Sequence, residues 1–250
     1  MTSLTLSLGR SVSDWACVFA LVVIPLVGCT DVVELQTYSF ALTESLPDLT
    51  TSPSEGVEIC EVDADNCVTS DSSGRAELDV RSNREVTFTF EKEGYGKWVV
   101  GDVSDENYES LLSRRMYPDD QLMAIAEQLG TPYPWEGGVV GLVRIPSDVA
   151  GVKFAPVEST VGAVGESFYY DSATDEYSLD LEATTAHQNS WLLPLGAGGF
   201  TEVTPGERQF EFGGTAVNCG PSWAWPGDGP NQIRVPVRDG YRTYGSMACD

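Results

Sequence analysis

Residue types that usually carry catalysis or metal binding are scarce in this chain of 250 residues. The only histidine is His187, and no Gly-x-Ser-x-Gly motif presents a serine nucleophile. Zinc held by two histidines and a glutamate is impossible with one histidine, and no Cys-x-x-Cys motif replaces it. We therefore predict no catalytic residues, no cofactor and no required metal. A hydrolase dependent on His187 is the least favoured alternative.

A short acidic segment, Asp63-Ala64-Asp65-Asn66, carries oxygen ligands that superficially suit calcium. An EF-hand loop starting at Asp63 needs a glycine where the chain has Val68 and a glutamate where it has Gly74. Because both are missing, we interpret the segment as a turn between strands.

Two tryptophans, Trp223 and Trp225, lie two residues apart in a stretch rich in glycine and proline. On an extended backbone such side chains point the same way, so they can form a platform for a sugar ring or a partner surface. Trp191 is a third candidate for this ligand-binding role. The alternative is that Trp223 and Trp225 pack beneath a disulfide as a small satellite core.

The charge balance excludes one class of partner. The chain has 38 acidic and 14 basic residues, a formal net charge of −24. A field of this sign repels nucleic acids and anionic lipid headgroups. We predict no nucleic-acid partner and attribute the charge mainly to solubility.

The N-terminal region carries a targeting signal. The apolar run 15–27 is too short to span a bilayer but fits the hydrophobic region of a signal peptide. It ends in Leu26-Val27-Gly28-Cys29, which resembles a bacterial lipobox. This resemblance implies a signal peptide over 1–28 and an exported protein anchored to a membrane by palmitate and related acyl chains on Cys29. Thr30, rather than an aspartate, follows the cysteine, which favours the outer membrane.

The cysteine count agrees with export. Of six cysteines, one lies in the signal peptide and one takes the lipid, which leaves four (6 − 2 = 4). Cys60 and Cys67 flank the acidic turn, so we pair them, and Cys219 then pairs with Cys249. An even remainder in an exported chain favours disulfides over free thiols.

Short alternating runs separated by turn residues predict a mainly β fold. A segment rich in Ser, Thr, Asp, Glu and Pro over 29–54 reads as a flexible tether. The predicted strands are Gly56–Cys60, Arg75–Val80, Glu85–Phe90, Lys97–Val103, Gly138–Ile145, Ala150–Phe154, Gly206–Phe212 and Gln232–Val237.

Two helices are expected between these strands. Tyr108, Leu111 and Leu112 share a helical face, with Ser104 as the N-cap. Leu122, Ile125, Ala126 and Leu129 repeat at helical spacing, between Pro118 and Gly130. We predict a helical connector over 105–135 that covers a sheet edge or joins two sandwiches, with a lid or binding role as the alternative.

Three spaced motifs resemble a carboxypeptidase regulatory-like domain. They are Gly56-Val57-x-Ile59, Thr69-x-Asp71-x-x-Gly74-x-Ala76-x-Leu78 and Phe90-x-x-x-Gly94-Tyr95. The resemblance implies a transthyretin-like β-sandwich over 55–104 without catalytic residues of its own. Gly151-Val152 and Gly240-Tyr241 echo these motifs and favour a second module over 136–250.

The sequence thus predicts tandem transthyretin-like or Ig-like β-sandwiches joined by a short helical connector. The expected role is structural or partner-binding at the bacterial cell surface, with the membrane reached through the lipid anchor. The main alternative is a carbohydrate-binding module that uses exposed tryptophans. A glycan or a surface protein is the expected partner.

Overall fold

Strands account for most of the regular structure in this computed structural model, which describes residues 34–46, 50–104, 111–145, 151–171, 174, 176–179 and 194–250. These residues contain 18 strands and one α-helix, α1 (Asp119–Gln128). The strands are β1 Leu35–Ser45, β2 Thr51–Pro53, β3 Glu58–Glu61, β4 Cys67–Thr69, β5 Arg75–Arg81, β6 Arg84–Glu91, β7 Trp98–Ser104, β8 Leu111–Met116, β9 Gly138–Ile145, β10 Val152–Pro156, β11 Ser167–Asp171, β12 Glu176–Ser178, β13 Gly198–Val203, β14 Gly206–Gly214, β15 Gly220–Trp223, β16 Trp225–Pro226, β17 Gln232–Val237 and β18 Arg242–Ala248.

The strands form three sheets. The β1 sheet contains β5 and β2 on one side of β1 and β8, in parallel, on the other. The β14 sheet has the order β10-β14-β17-β16. The long sheet runs β12-β11-β13-β9-β18-β7-β6-β3-β4, with β15 also paired to β18.

The centre of the long sheet, at β9, is buried on both faces between the other two sheets. Along β9, Val139 and Val143 belong to the core shared with the β1 sheet, whereas Val140 and Leu142 belong to the core shared with the β14 sheet. Because neighbouring side chains of a strand point to opposite faces, a strand buried on both faces is apolar throughout. The predicted mainly β fold of packed sheets is confirmed.

The two predicted modules contribute strands to one continuous sheet. β7, at the end of the first module, pairs in parallel with β18 of the second, with Trp98 opposite Arg242. Residues 34–250 accordingly cluster as one compact unit. The boundary expected near residue 104 separates chain segments, but the long sheet crosses it.

The expectation of a flexible tether over 29–54 is wrong for most of the segment. β1 starts at Leu35, and its inward side chains Tyr38, Phe40 and Leu42 are at most 2% exposed. The serines and threonines that suggested a tether alternate with these residues on the outer face of the strand. Burial of three large apolar groups outweighs the polar composition that predicts disorder.

The connector contains one of the two expected helices. α1 buries Leu122, Ile125 and Ala126 as predicted. The other helix is wrong, because 111–116 form strand β8 with Leu112, Arg114 and Met116 buried at alternate positions.

Ser104 is therefore not an N-cap. It is the last residue of β7, and its hydroxyl donates to the carbonyl of Arg81 and is the acceptor for the amide of Arg84. Tyr108, the third residue of the expected helical face, lies outside the described residues.

Two turns of the same construction close β6 and β17. We call them the first corner, Lys92–Tyr95, and the second corner, Arg238–Tyr241. In each, the tyrosine amide donates to the carbonyl three residues earlier at 3.1 Å. Each also has a glycine in the left-handed region, Gly94 at φ 77° and Gly240 at φ 74°. The echo between the Gly-Tyr motifs is therefore a repeated structure.

Candidate functional site

The two tryptophans expected to form one platform lie in different sheets. Trp223 ends β15, which pairs with β18, and Trp225 begins β16, which pairs with β17. The chain bends at Ala224 between the two strands, so the backbone is not continuously extended. The prediction that both rings point the same way is wrong for this reason.

Trp225 is a core residue. It is 7% exposed, and its indole Nε1 donates to the carbonyl of Asp102 at 2.9 Å. The ring packs so closely on Gly101 that a Cβ there would lie 2.9 Å from Trp225 Cε2. Its hydrogen-bond partners are in β6 and β7. The alternative that this ring is buried is therefore right, but the ring packs against these strands and not beneath the Cys219–Cys249 disulfide.

Trp223 is half-buried and lies over a cation. Its ring centre is 4.9 Å from the guanidinium carbon of Arg114, which projects from β8. The Trp223 amide donates to Ser246 Oγ of β18 at 3.1 Å. Trp223 therefore remains a candidate ligand-binding residue, with Arg114 beneath it.

Arg114 has an incompletely satisfied guanidinium. The residue is 5% exposed, and Nη1 donates to the carbonyl of Ser113 at 2.8 Å. Among the residues that the structure describes, Nε and Nη2 have no hydrogen-bond partner. Burial lowers the pKa of Arg114 to about 10, and the nearby carboxylate of Asp102 opposes this effect.

Asp102 supplies the opposite charge at this site. Burial raises the pKa of its carboxyl group, against the effects of the Val103 amide, Arg114 and the Tyr38 hydroxyl. The Val103 amide donates to Oδ1 at 2.9 Å. A half-buried indole, a buried guanidinium and a partly buried carboxyl group thus meet where β7, β8 and β15 come together. We name Trp223, Arg114 and Asp102 the tryptophan site.

Sequence reasoning missed Arg114 and Asp102. The helix expected around Tyr108, Leu111 and Leu112 would place Arg114 near its C-terminal end, where a basic residue suits the dipole. The available signal was the alternation Leu112, Arg114, Met116, which places the arginine on the inner face of a strand.

A second candidate is a depression beside the first corner, with a volume of about 430 Å³. It is lined by Gly56, Glu58, Thr69, Glu91, Lys92, Glu93 and Lys97. Its lysines are paired within the protein: Lys92 Nζ lies 2.7 Å from Glu44, and Lys97 Nζ lies 2.9 Å from Glu91. The remaining charge that faces solvent is therefore acidic.

The same region brings a serine and a lysine together without activating either. Ser54 Oγ is 3.2 Å from Lys92 Nζ, the separation of a Ser–Lys catalytic pair. A lysine acts as a base through the lone pair of its nitrogen, but Lys92 Nζ is paired with the carboxylate of Glu44 at 2.7 Å. Ser54 is also fully buried. This geometry does not support nucleophilic catalysis.

Both predicted disulfides are confirmed. Cys60 pairs with Cys67 across β3 and β4, and Cys219 pairs with Cys249. The acidic segment between the first pair forms the expected turn, with Asp63 at φ 65°.

Several predicted residues, namely Cys29, His187 and Trp191, lie outside the described residues, as does the signal peptide 1–28. Within the described ranges, no group of three or more histidine, cysteine or acidic residues is arranged to hold a metal ion. The helices there include none that is long and apolar enough to cross a membrane.

No protein-family model matches the chain, and no curated protein matches it. Solved structures give weak matches. The TIE protein of Bacillus anthracis has 7% identity and a TM-score of 0.26 over 85% of this chain, which spans only 34% of that protein's length.

Two pilins also match. The shaft pilin SpaA of Lactobacillus rhamnosus GG has 11% identity and a TM-score of 0.26, with 87% of this chain and 98% of the pilin covered. The minor pilin GBS52 of Streptococcus agalactiae has 11% identity and a TM-score of 0.21, with 86% and 96% covered. At these scores the matches support no inference about function.

Proposed function

We propose that this chain is an exported bacterial lipoprotein, anchored through Cys29, with a non-catalytic structural or partner-binding role at the cell surface. The observation that carries the proposal is the pair of disulfides downstream of a lipobox. Disulfides persist in oxidising compartments outside the cytoplasm, which is where a lipobox directs a protein. The chemistry of Ser54 and Lys92 described above also disfavours an enzyme at the depression.

Because β1 begins at Leu35, the proposed lipid anchor on Cys29 lies close in the chain to the folded part. Leu35 lies only six positions after Cys29 (35 − 29 = 6). A fully extended chain of this length reaches about 20 Å. The folded part is therefore expected to lie near the membrane surface, rather than on the long tether predicted from composition.

The proposed fold family for 55–104 remains the carboxypeptidase regulatory-like domain. The glycines of that motif support it, because Gly74 and Gly94 both have positive φ angles and terminate tight turns. The Asp71–Gly74 turn joins β4 to β5, which lie in different sheets.

The anchor is tested by expressing the full chain in a bacterium that processes lipoproteins and measuring incorporation of radiolabelled palmitate. We expect label in the wild type and none in Cys29→Ser, while Cys17→Ser, in the predicted signal peptide, retains it. Mass spectrometry of the mature protein is expected to find an acylated Cys29 as its first residue. A mature chain that begins upstream of Cys29, or carries an unmodified thiol there, contradicts the proposal.

A further inference from the structure

We propose that the tryptophan site binds a neutral sugar ring, with two adjacent hydroxyl groups bridging the guanidinium of Arg114 and the carboxyl group of Asp102. The inference narrows the partner-binding role under Proposed function and rests on it. It is tested by a measurement that does not depend on the lipid anchor.

The first step is the unpaired edge of Arg114. Nε and Nη2 lie on the same edge of the planar guanidinium, where they donate two parallel hydrogen bonds to a pair of acceptor oxygens. Both atoms lack a partner among the residues described. A buried donor left unsatisfied is destabilising, so a bound group that completes this edge would gain two hydrogen bonds.

The second step is the position of Trp223. The centre of its half-buried ring lies 4.9 Å from the guanidinium carbon, and the two unpaired nitrogens of Arg114 are shielded from solvent. In the proposed complex the indole moves aside to admit the ligand, and its ring then offers a flat apolar face. The carbon–hydrogen face of a pyranose packs on such a ring, while its hydroxyl groups point to the side.

The third step is the charge of the site. A second anion beside Asp102, in a chain of net charge −24, is repelled. A hydroxyl group avoids this conflict because its oxygen accepts from Arg114 and its hydrogen is donated to Asp102. The pair therefore selects neutral sugars over uronic acids and sulfated sugars.

Arg242 provides an internal comparison. It is 1% exposed, and its Nε and Nη2 also lack partners among the described residues. Its guanidinium carbon lies 4.1 Å from the ring centre of Trp98 and 5.1 Å from that of Tyr117, and both rings are buried. With no half-exposed ring to move aside, Arg242 has a packing role, and the ligand site is at Arg114.

The test measures binding of the full chain, purified in detergent, to immobilised β-1,4-linked hexamers of glucose and of xylose, with a galacturonate hexamer as the acidic counterpart. We expect binding to at least one neutral hexamer and none to galacturonate. Trp223→Ala and Arg114→Gln are each expected to weaken that binding about tenfold or more, because the first removes the stacking face and the second removes the two-donor edge. Asp102→Asn is expected to weaken neutral binding and to allow galacturonate binding.

The matched control is Arg115→Gln, which changes the adjacent residue of β8 on the opposite face and is expected to leave binding unchanged. Arg114→Lys keeps the charge but loses the two-donor edge, and we expect it to fold and to bind weakly. If Arg114→Gln fails to fold, Trp223→Ala and Asp102→Asn decide. Absence of wild-type binding to both neutral hexamers overturns the proposal, as does binding that survives Trp223→Ala. Palmitate labelling of Cys29 is unaffected by either result.

Discussion

The first and second corners have the same backbone conformation, but different buried side chains follow them in the chain. In the first, the Tyr95 hydroxyl donates to Glu44, and Lys92 lies over the tyrosine ring at 4.5 Å. In the second, the Tyr241 hydroxyl donates to Glu91, and Arg238 lies over the ring at 5.2 Å. Each turn thus fixes a carboxylate at a strand end beneath a phenol and a cation.

The chain that follows each corner makes the difference. The first corner leads to the indole of Trp98, and the second leads directly to the guanidinium of Arg242, which stacks on that indole. Lys97 also connects the two, since it follows the first corner and pairs with Glu91, the carboxylate that accepts from Tyr241 of the second corner. A repeated turn therefore places the first residues of β7 and β18 side by side. Trp98 after the first corner and Arg242 after the second then pack on each other in the core.

The largest expected effect comes from Arg242. We expect Arg242→Ala to lower the free energy of unfolding by about 3 kcal/mol, because it leaves a void beside the rings of Trp98 and Tyr117. Arg242→Met fills the space without a buried charge, so its cost is expected to be below about 1 kcal/mol. Urea denaturation compares the two. Equal losses would mean that the charge, rather than the volume, supports the packing.

Next in size is the pair of corner glycines. A Cβ on Gly94 or Gly240 meets nothing within 4 Å, so the cost of alanine is conformational only. We expect Gly94→Ala and Gly240→Ala each to destabilise the protein by about 1 kcal/mol, as a left-handed backbone does for a side chain. Gly220→Ala, also with open space but without a positive φ, is the control and is expected to be near neutral. If the two alanine substitutions destabilise the protein by clearly different amounts, the two corners are not equivalent.

The tyrosine hydroxyls are expected to distinguish the corners. Tyr241 is 9% exposed, and burial together with the hydrogen bond to Glu91 raises its pKa to about 12. Tyr95 is more exposed, and burial and Glu44 raise its pKa. We expect Tyr241→Phe to cost about 1 kcal/mol and Tyr95→Phe less, because the hydrogen bond in the less exposed site competes less with water. Thermal unfolding of the two variants at neutral pH checks the order.

The smallest expected effect is a loss of stability in acid. Hydrogen bonding to Lys92 lowers the pKa of Glu44 below its ordinary 4.5. Burial raises the pKa of Glu91, but the hydrogen bonds from Tyr241 and Lys97 outweigh it and give a net lowering from 4.5.

A carboxylate whose folded pKa is lowered stabilises the protein above the unfolded pKa, and this contribution is lost as pH falls through the folded value. We therefore expect stability to decline below pH 4.5, less steeply in Glu44→Gln and in Glu91→Gln. The measurement is the unfolding free energy from pH 6 downwards for the wild type and both variants. If the decline with falling pH is as steep in both variants as in the wild type, the stabilising pairs of Glu44 and Glu91 are contradicted.

Local patterns predicted most of the elements. Leu122, Ile125 and Ala126 identified α1, and the alternation in Arg75–Val80 identified β5, because burial on one face leaves a clear period. The same rule was available for β1 and β8 but was hidden by polar or basic neighbours. Leu111 and Leu112 fitted a helical face by coincidence of spacing.

Pairing order and the tryptophan site were beyond local patterns. The spacing of Trp98 and Arg242 does not predict that their strands are neighbours, because the two residues are 144 positions apart (242 − 98 = 144). Trp223, Arg114 and Asp102 likewise come from three separate strands. Such contacts depend on which sheet faces which, and a one-dimensional pattern does not encode this.

The place of β18 has a consequence for biogenesis. This strand lies inside the long sheet, between β9 and β7, although it is the last of the strands in chain order. A chain that emerges N-terminus first cannot complete the pairing of β9 and β7 with β18 until residue 248 is available. Until then β9 and β7 each keep an unpaired edge, and such edges are prone to pair with other chains.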